Sequence, residues 1–158
     1  MFFENYLMYL CFFRKVMTEA YSTDCKKTFS KQEKLCSTKA IENIFANGDS
    51  FVAYPLRVVY LFTDEDNKEN QYASVMISVA KKKFKRAVKR NRVKRLIREA
   101  YRLNKSSLSE LLQTHNKCLD IAFLYLKTEL PTYAEIEKAM QKAQLLLSDK
   151  IRKIEQTE

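Results

Sequence analysis

The sequence predicts an α+β fold: a two-layer sandwich of one small mixed sheet and its helices, in the order αβββαβα. Three observations carry this expectation. Residues 56–62, 72–79 and 119–126 are short runs rich in β-branched and aromatic side chains, and residues 87–104 and 132–154 carry apolar side chains at helical spacing. No segment repeats another, which sets aside solenoids and arrays. At 158 residues, 46% of them apolar, the chain suits a single packed domain with extensions. The domain is expected over residues 29–154, with an N-terminal extension over 1–28 and a tail over 155–158.

Residues 1–13 are apolar and aromatic. They are too short to span a bilayer and lack the basic start and small-residue cleavage site of a signal peptide. Met8 and Met17 offer internal starts, so residues 1–16 are expected to be an over-extended start or a disordered tail. In the polar lead-in 29–35, Ser30 and Glu33 stand at capping-box spacing. Ser37 or Thr38 then caps a short helix whose Ala40, Ile41, Ile44 and Phe45 share a face, and Asn47-Gly48 closes it.

A short strand is expected within 51–54. LRVVYLF at 56–62 follows Pro55 and reads as the next, with TDEDNKENQ at 63–71 as a polar hairpin connection. In the strand at 72–79, Ala73, Val75, Ile77 and Val79 alternate with Tyr72, Ser74, Met76 and Ser78. Residues 105–117, with the cluster Leu108, Leu111 and Leu112, read as an extension of the preceding helix before a turn. LDIAFLYL at 119–126 is nearly continuous apolar sequence, as in a strand covered on both sides. Leu130-Pro131 ends it. Thr132 with Glu135 makes a second capping box for a last helix to about residue 154, striped by Ile136, Met140, Ala143, Leu147, Ile151 and Ile154.

The charge is concentrated. Of 29 Lys and Arg, 12 lie between Lys81 and Arg102 against the single acid Glu99, and the remaining residues hold 17 basic and 18 acidic groups. The whole excess of +10 therefore sits in about one seventh of the chain. At 100° per residue, Val93, Leu96, Ile97, Ala100 and Asn104 share one arc, with Tyr101 at its edge, while Asn91, Arg92, Lys94, Arg95, Arg98 and Arg102 hold the other. Such a helix docks one side on a core and shows cations to a partner. Arginine dominates the cationic arc, which suits bidentate contacts to phosphate. Nucleic acid, an anionic membrane surface and a merely solvated helix all remain open, although the apolar arc has no Trp or Phe for a membrane interface.

Catalytic candidates are absent. The one histidine, His115, reads as surface, no nucleophile motif or phosphate-cradling glycine loop occurs, and Asp64, Glu65 and Asp66 read as a solvated turn. Cys11, Cys25, Cys36 and Cys118 lack metal-ligand spacing, so reduced cytosolic thiols and no protein-bound metal are expected.

AVKRNRVKRLIREAYRLN at 87–104 resembles the signature of the bacterial ribonuclease P protein component, with its R-N-R triplet followed by K-R-L-x-R-E. Ser78-Val79-Ala80-Lys81-Lys82 matches the strand end and lysine pair of that family. The helix over 35–48 and the strand over 55–62 match more loosely, and in all the likeness spans about residues 31–147. It implies a ribosomal-protein-like domain with a left-handed crossover, serving a cytoplasmic ribonucleoprotein that removes the 5′ leader from precursor tRNA. The RNA subunit would perform the cleavage with magnesium, leaving no catalytic residue on the protein. Lys81, Lys82, Arg86, Arg90, Asn91, Arg92, Lys94, Arg95 and Arg98 would contact RNA, and Ile41, Phe45 and Val59 would line a leader cleft. The family often has an aromatic where Ile41 stands, and its shorter forms carry a glycine in the loop before the basic helix where this chain has Lys85-Arg86. The implied partners are the ribonuclease P RNA and precursor tRNA, with neither membrane nor DNA. A structural RNA-binding protein of ribosomal type is the alternative.

Overall fold

The last strand in the chain, β4 (Cys118–Tyr125), lies inside the sheet, between β2 (Leu56–Thr63) and β3 (Ala73–Ser78). With β1 (Asp49–Ala53) at the edge, the order is β1-β2-β4-β3. The computed structural model describes residues 28–63 and 72–155, with side chains as far as Lys153. Between the strands run α1 (Thr38–Asn47), α2 (Ala87–Asn104) and α3 (Ser106–Thr114), and α4 (Tyr133–Glu155) follows β4. β1 and β4 both run antiparallel to β2, while β3 and β4 are parallel.

The hairpin expected across 63–71 is thereby corrected, because β2 and β3 are not neighbours. β4 takes the centre because its residues Leu119 to Phe123 are buried on both faces, and only a central strand can hide them. A parallel pair needs a long crossover, which α2 and α3 supply. The expectations for residues 1–16, for the acids of residues 64–66 and for the Ile154 side chain lie outside the described residues.

One sheet face carries most of the core. Val58, Tyr60, Val75, Ile121 and Phe123 pack there against Val93, Ile97, Ala100 and Tyr101 of α2 and Ile136, Met140, Ala143 and Leu147 of α4. Tyr101, expected at the edge of the α2 stripe, is 1% exposed and belongs to the core, whereas Leu96 is only partly buried. The Phe29 ring meets Tyr101 edge-on at 5.9 Å. On the other face, among the described residues, lies α1, with Ile44 seated on Val59 and Ala122.

Residues 105–117 do not extend α2. The chain turns at Lys105 and forms α3, which buries Leu108 and Leu112. A straight helix would have carried Leu108 about 16 Å past Ile97 along one axis; the break at Lys105 lets Leu108 and Leu112 join the core instead. In the lead-in, the Ser30–Glu33 spacing closes a turn, with the Glu33 N–H donating to Ser30 Oγ at 3.3 Å. The chain then pairs along the outer edge of β3, with Val75 N–H donating to Glu33 O (2.7 Å) and Leu35 N–H to Val75 O (3.0 Å).

Other signals read from the sequence are realised. Ser37 Oγ accepts from Ala40 N at the start of α1. At α4, Thr132 N–H donates to Glu135 Oε2 (3.0 Å) while Glu135 N–H donates to Thr132 Oγ1 (3.3 Å), a complete capping box. Gly48 closes α1 for a steric reason rather than a left-handed one: its φ is −80°, but a Cβ there would collide with Ile44 O and stand 2.9 Å from Tyr60 O.

Candidate nucleic-acid interface

β3 ends at Ser78, and within three residues the chain enters the turn Lys81–Lys83. Phe84 anchors this turn: it is 5% exposed, with its ring 6.1 Å from that of Tyr125. Because Phe84 is pulled into the core, Lys81, Lys82, Lys85 and Arg86 are left exposed around it. α2 begins directly afterwards, without a side-chain cap on its first turn. The apolar stripe seats α2 on the sheet, so Asn91, Arg92 and Arg95 fall on the exposed side, with Arg90, Lys94 and Arg98 half-buried at its margins.

Two of these arginines are engaged internally. Arg90 Nη1 donates to the carbonyls of Phe84 and Lys85, both at 2.8 Å. The Arg98 guanidinium carbon stands 5.9 Å from the centre of the Phe29 ring. The sole acid of the stretch, Glu99, is held by Arg102 through Oε1 at 2.6 Å and Oε2 at 2.9 Å. That hydrogen bond holds the Glu99 carboxyl below its usual range and raises the Arg102 guanidinium above its own. Among the described residues no carboxylate pairs with the cations from Lys81 to Arg98. A positive ridge is left uncompensated.

The face carrying α1 continues from this ridge. α1 crosses the row formed by Val59, Ala122 and Met76, and the next row toward the basic turn is Arg57, Leu124 and Ser78. Lys39, Ala40 and Asn43 line a groove on the other flank of α1, near Thr63 and Ser74. By helical geometry Ile41 and Phe45 therefore face the Arg57–Leu124–Ser78 side. Phe45 is 48% exposed and Ile41 half-buried, whereas Val59, 5% exposed, is floor beneath Ile44 and not an open wall.

Sequence reading missed the half-buried Met76 and Leu124 and the exposed Arg57, whose Nη2 donates to Ser50 Oγ at 3.0 Å. Alternation within each strand gives their common face, but only the strand register puts them in adjacent rows. The described residues bring no three acids, histidines or cysteines together as a metal site, and no described helix is long and apolar enough to cross a membrane.

The chain is similar to known proteins in sequence and in fold. A family model described as Ribonuclease P matches residues 29–147. A ribonuclease P protein component from Porphyromonas gingivalis is 48% identical over 122 residues, covering 77% of this chain and 88% of that protein. One from Clostridium novyi is 32% identical over 108 residues, covering 68% and 86%. In fold, the Staphylococcus aureus RNase P protein is similar with a TM-score of 0.55 at 24% identity, over 73% of this chain and 94% of that one. With the signature at 87–104 now seated on an exposed ridge, the chain belongs to the ribonuclease P protein component family.

Proposed function

We propose that the chain binds the RNA component of ribonuclease P through the ridge of Lys81, Lys82, Arg86, Arg90, Asn91, Arg92, Lys94, Arg95 and Arg98. The 5′ leader of precursor tRNA is held on the adjoining sheet face, beside Ile41 and Phe45 and above the floor that includes Val59. The RNA partner carries out the cleavage and holds the magnesium, so the protein contributes affinity and positioning to tRNA 5′ maturation in the cytoplasm.

One observation supports this reading above the others: an uncompensated cationic ridge runs without a break into a half-open apolar face. Cations release counterions from phosphates and set affinity. An exposed aromatic beside half-buried aliphatics suits the unstacked bases of a single strand. Arg57, on the same face, would add a phosphate contact along the leader.

The test is cleavage of precursor tRNA by the ribonuclease P RNA at low magnesium, with and without the protein. Stimulation of leader removal is expected. A protein that binds the RNA and leaves cleavage unchanged would instead fit a ribosomal-type structural role.

A further inference from the structure

The cationic surface does not end with α2. The Phe29 ring, already edge-on to Tyr101, carries two cations: the Arg98 guanidinium carbon stands 5.9 Å from its centre and Lys34 Nζ 6.0 Å. Arg98 belongs to the ridge and Lys34 to the lead-in, so one ring joins the two segments. Backbone pairing on either side fixes Lys34: Val75 N–H donates to Glu33 O at 2.7 Å and Leu35 N–H to Val75 O at 3.0 Å, with Leu35 buried. Lys34 is left exposed beside β3, and Lys39, exposed in the first turn of α1, lines the same groove.

Among the described residues no carboxylate pairs with Lys34, Lys39 or Arg98. Glu33, the acid next to Lys34, is held by Lys105 at 2.6 Å. Two cations gathered at one ring also repel each other, a cost that an anion beside them removes. Because Tyr101 and the two cations take up the ring, Phe29 has little face left to stack a base. The row therefore suits a sugar–phosphate backbone and not unstacked bases.

We propose that Lys34 and Lys39, reached by way of Arg98, form a second contact with the backbone of the ribonuclease P RNA, beside the β3 edge. The row leaves the ridge at Arg98, in the C-terminal half of α2. The leader face instead adjoins the basic turn ahead of α2, and it lies on the opposite flank of α1 from Lys39. The occupant is therefore RNA continuing from the ridge and not the leader. This contact rests on the proposed docking of that RNA on α2, and it brings a second segment of the protein, the lead-in with the start of α1, into the interface.

The test uses the full chain and the ribonuclease P RNA, comparing wild type with Lys34→Ala/Lys39→Ala, Lys34→Arg/Lys39→Arg and the ridge variant Arg92→Ala/Arg95→Ala. Affinity is measured across a range of monovalent salt, and the RNA backbone that each protein protects is mapped by hydroxyl-radical cleavage. The lead-in alanine pair is expected to weaken binding severalfold and to flatten the salt slope by roughly 0.7–0.9 log units for each phosphate lost. It should also unprotect a stretch of RNA that stays protected with the ridge variant. The arginine pair restores affinity and protection. Both lysines are exposed, so thermal melts of these variants should stay close to the wild type. Weakening by the ridge variant but not by the lead-in alanine pair removes the lead-in from the interface and leaves α2 in it, whereas no weakening by either removes both. A loss confined to precursor-tRNA binding by the assembled holoenzyme would assign the lysines to the substrate and likewise overturn the proposal.

Discussion

Arg90 grips the carbonyl of Phe84, donating from Nη1 at 2.8 Å across six residues, and the same nitrogen reaches Lys85 O at the same distance. The guanidinium thus ties the basic turn to the first turn of α2, while Phe84 plugs the turn into the core. Arg90 and its exposed neighbour Arg92 therefore do different work although both belong to the R-N-R triplet. Arg90→Ala should cost about 1 kcal/mol of stability by leaving the part-buried Phe84 carbonyl without its donor, as well as weakening RNA binding. Arg92→Ala should weaken RNA binding with the melting temperature unchanged. Thermal melts beside RNA-binding isotherms check both. Equal melting temperatures for the two variants would return Arg90 to the same class as Arg92.

On α1, Phe45 and Ile44 are adjacent in sequence and opposed in role. Ile44 is fully buried on Val59 and Ala122, so Ile44→Ala should cost about 2–5 kcal/mol. Phe45 is 48% exposed, and Phe45→Ala should cost under about 1 kcal/mol. Phe45→Ala should instead reduce affinity for precursor tRNA more than for mature tRNA. Denaturant melts and paired binding measurements separate the two effects, and equal losses for both RNAs would remove Phe45 from the leader face.

The one glycine of the chain offers a test of the join between α1 and β1. A Cβ at position 48 meets backbone oxygens of Ile44 and Tyr60, neither of which moves like a side chain. Gly48→Ala should destabilise the fold by about 1–3 kcal/mol, although α1 itself would gain from alanine if it continued. Urea denaturation measures this. An unchanged midpoint would show that the helix end relaxes away from the strand.

Acid should loosen the start of α4. The Thr132 N–H and then the Lys127 ammonium hold the Glu135 carboxyl below its usual range. A carboxyl with a depressed folded-state pKa stabilises the fold above its unfolded pKa of about 4.3 and loses that contribution as pH falls through the folded value. Glu135→Gln should therefore melt below the wild type near neutral pH, and the difference should close as pH drops below about 4. A difference constant with pH would assign the stabilisation to shape and not to charge.

Elements whose evidence is local were legible in the sequence. The capping box of Thr132 and Glu135, the Ile136–Ile151 stripe and the cationic arc of α2 each depend on spacing within one turn or two. The position of β4 was not legible, because LDIAFLYL states that a strand is buried on both sides without saying which strands flank it. The separate α3 was hidden for a related reason: Leu108 and Leu112 continue the periodicity of α2, so residue spacing alone gives no sign of the break at Lys105. At the site, the ridge could be read directly. Arg57, Met76 and Leu124 could not, since they meet only through the register of three strands. The engagement of Arg90 with the backbone left no trace in residue type at all.

If the exposed cations of α2 meet phosphates of the ribonuclease P RNA, as proposed, binding must depend steeply on salt. Affinity of wild type and of Arg92→Ala/Arg95→Ala is measured across a range of monovalent salt. A steep fall is expected for the wild type and, for the double variant, a slope shallower by roughly 0.7–0.9 log units for each phosphate that is no longer neutralised. The same slope for both proteins, with affinity unchanged at every salt concentration, would contradict it.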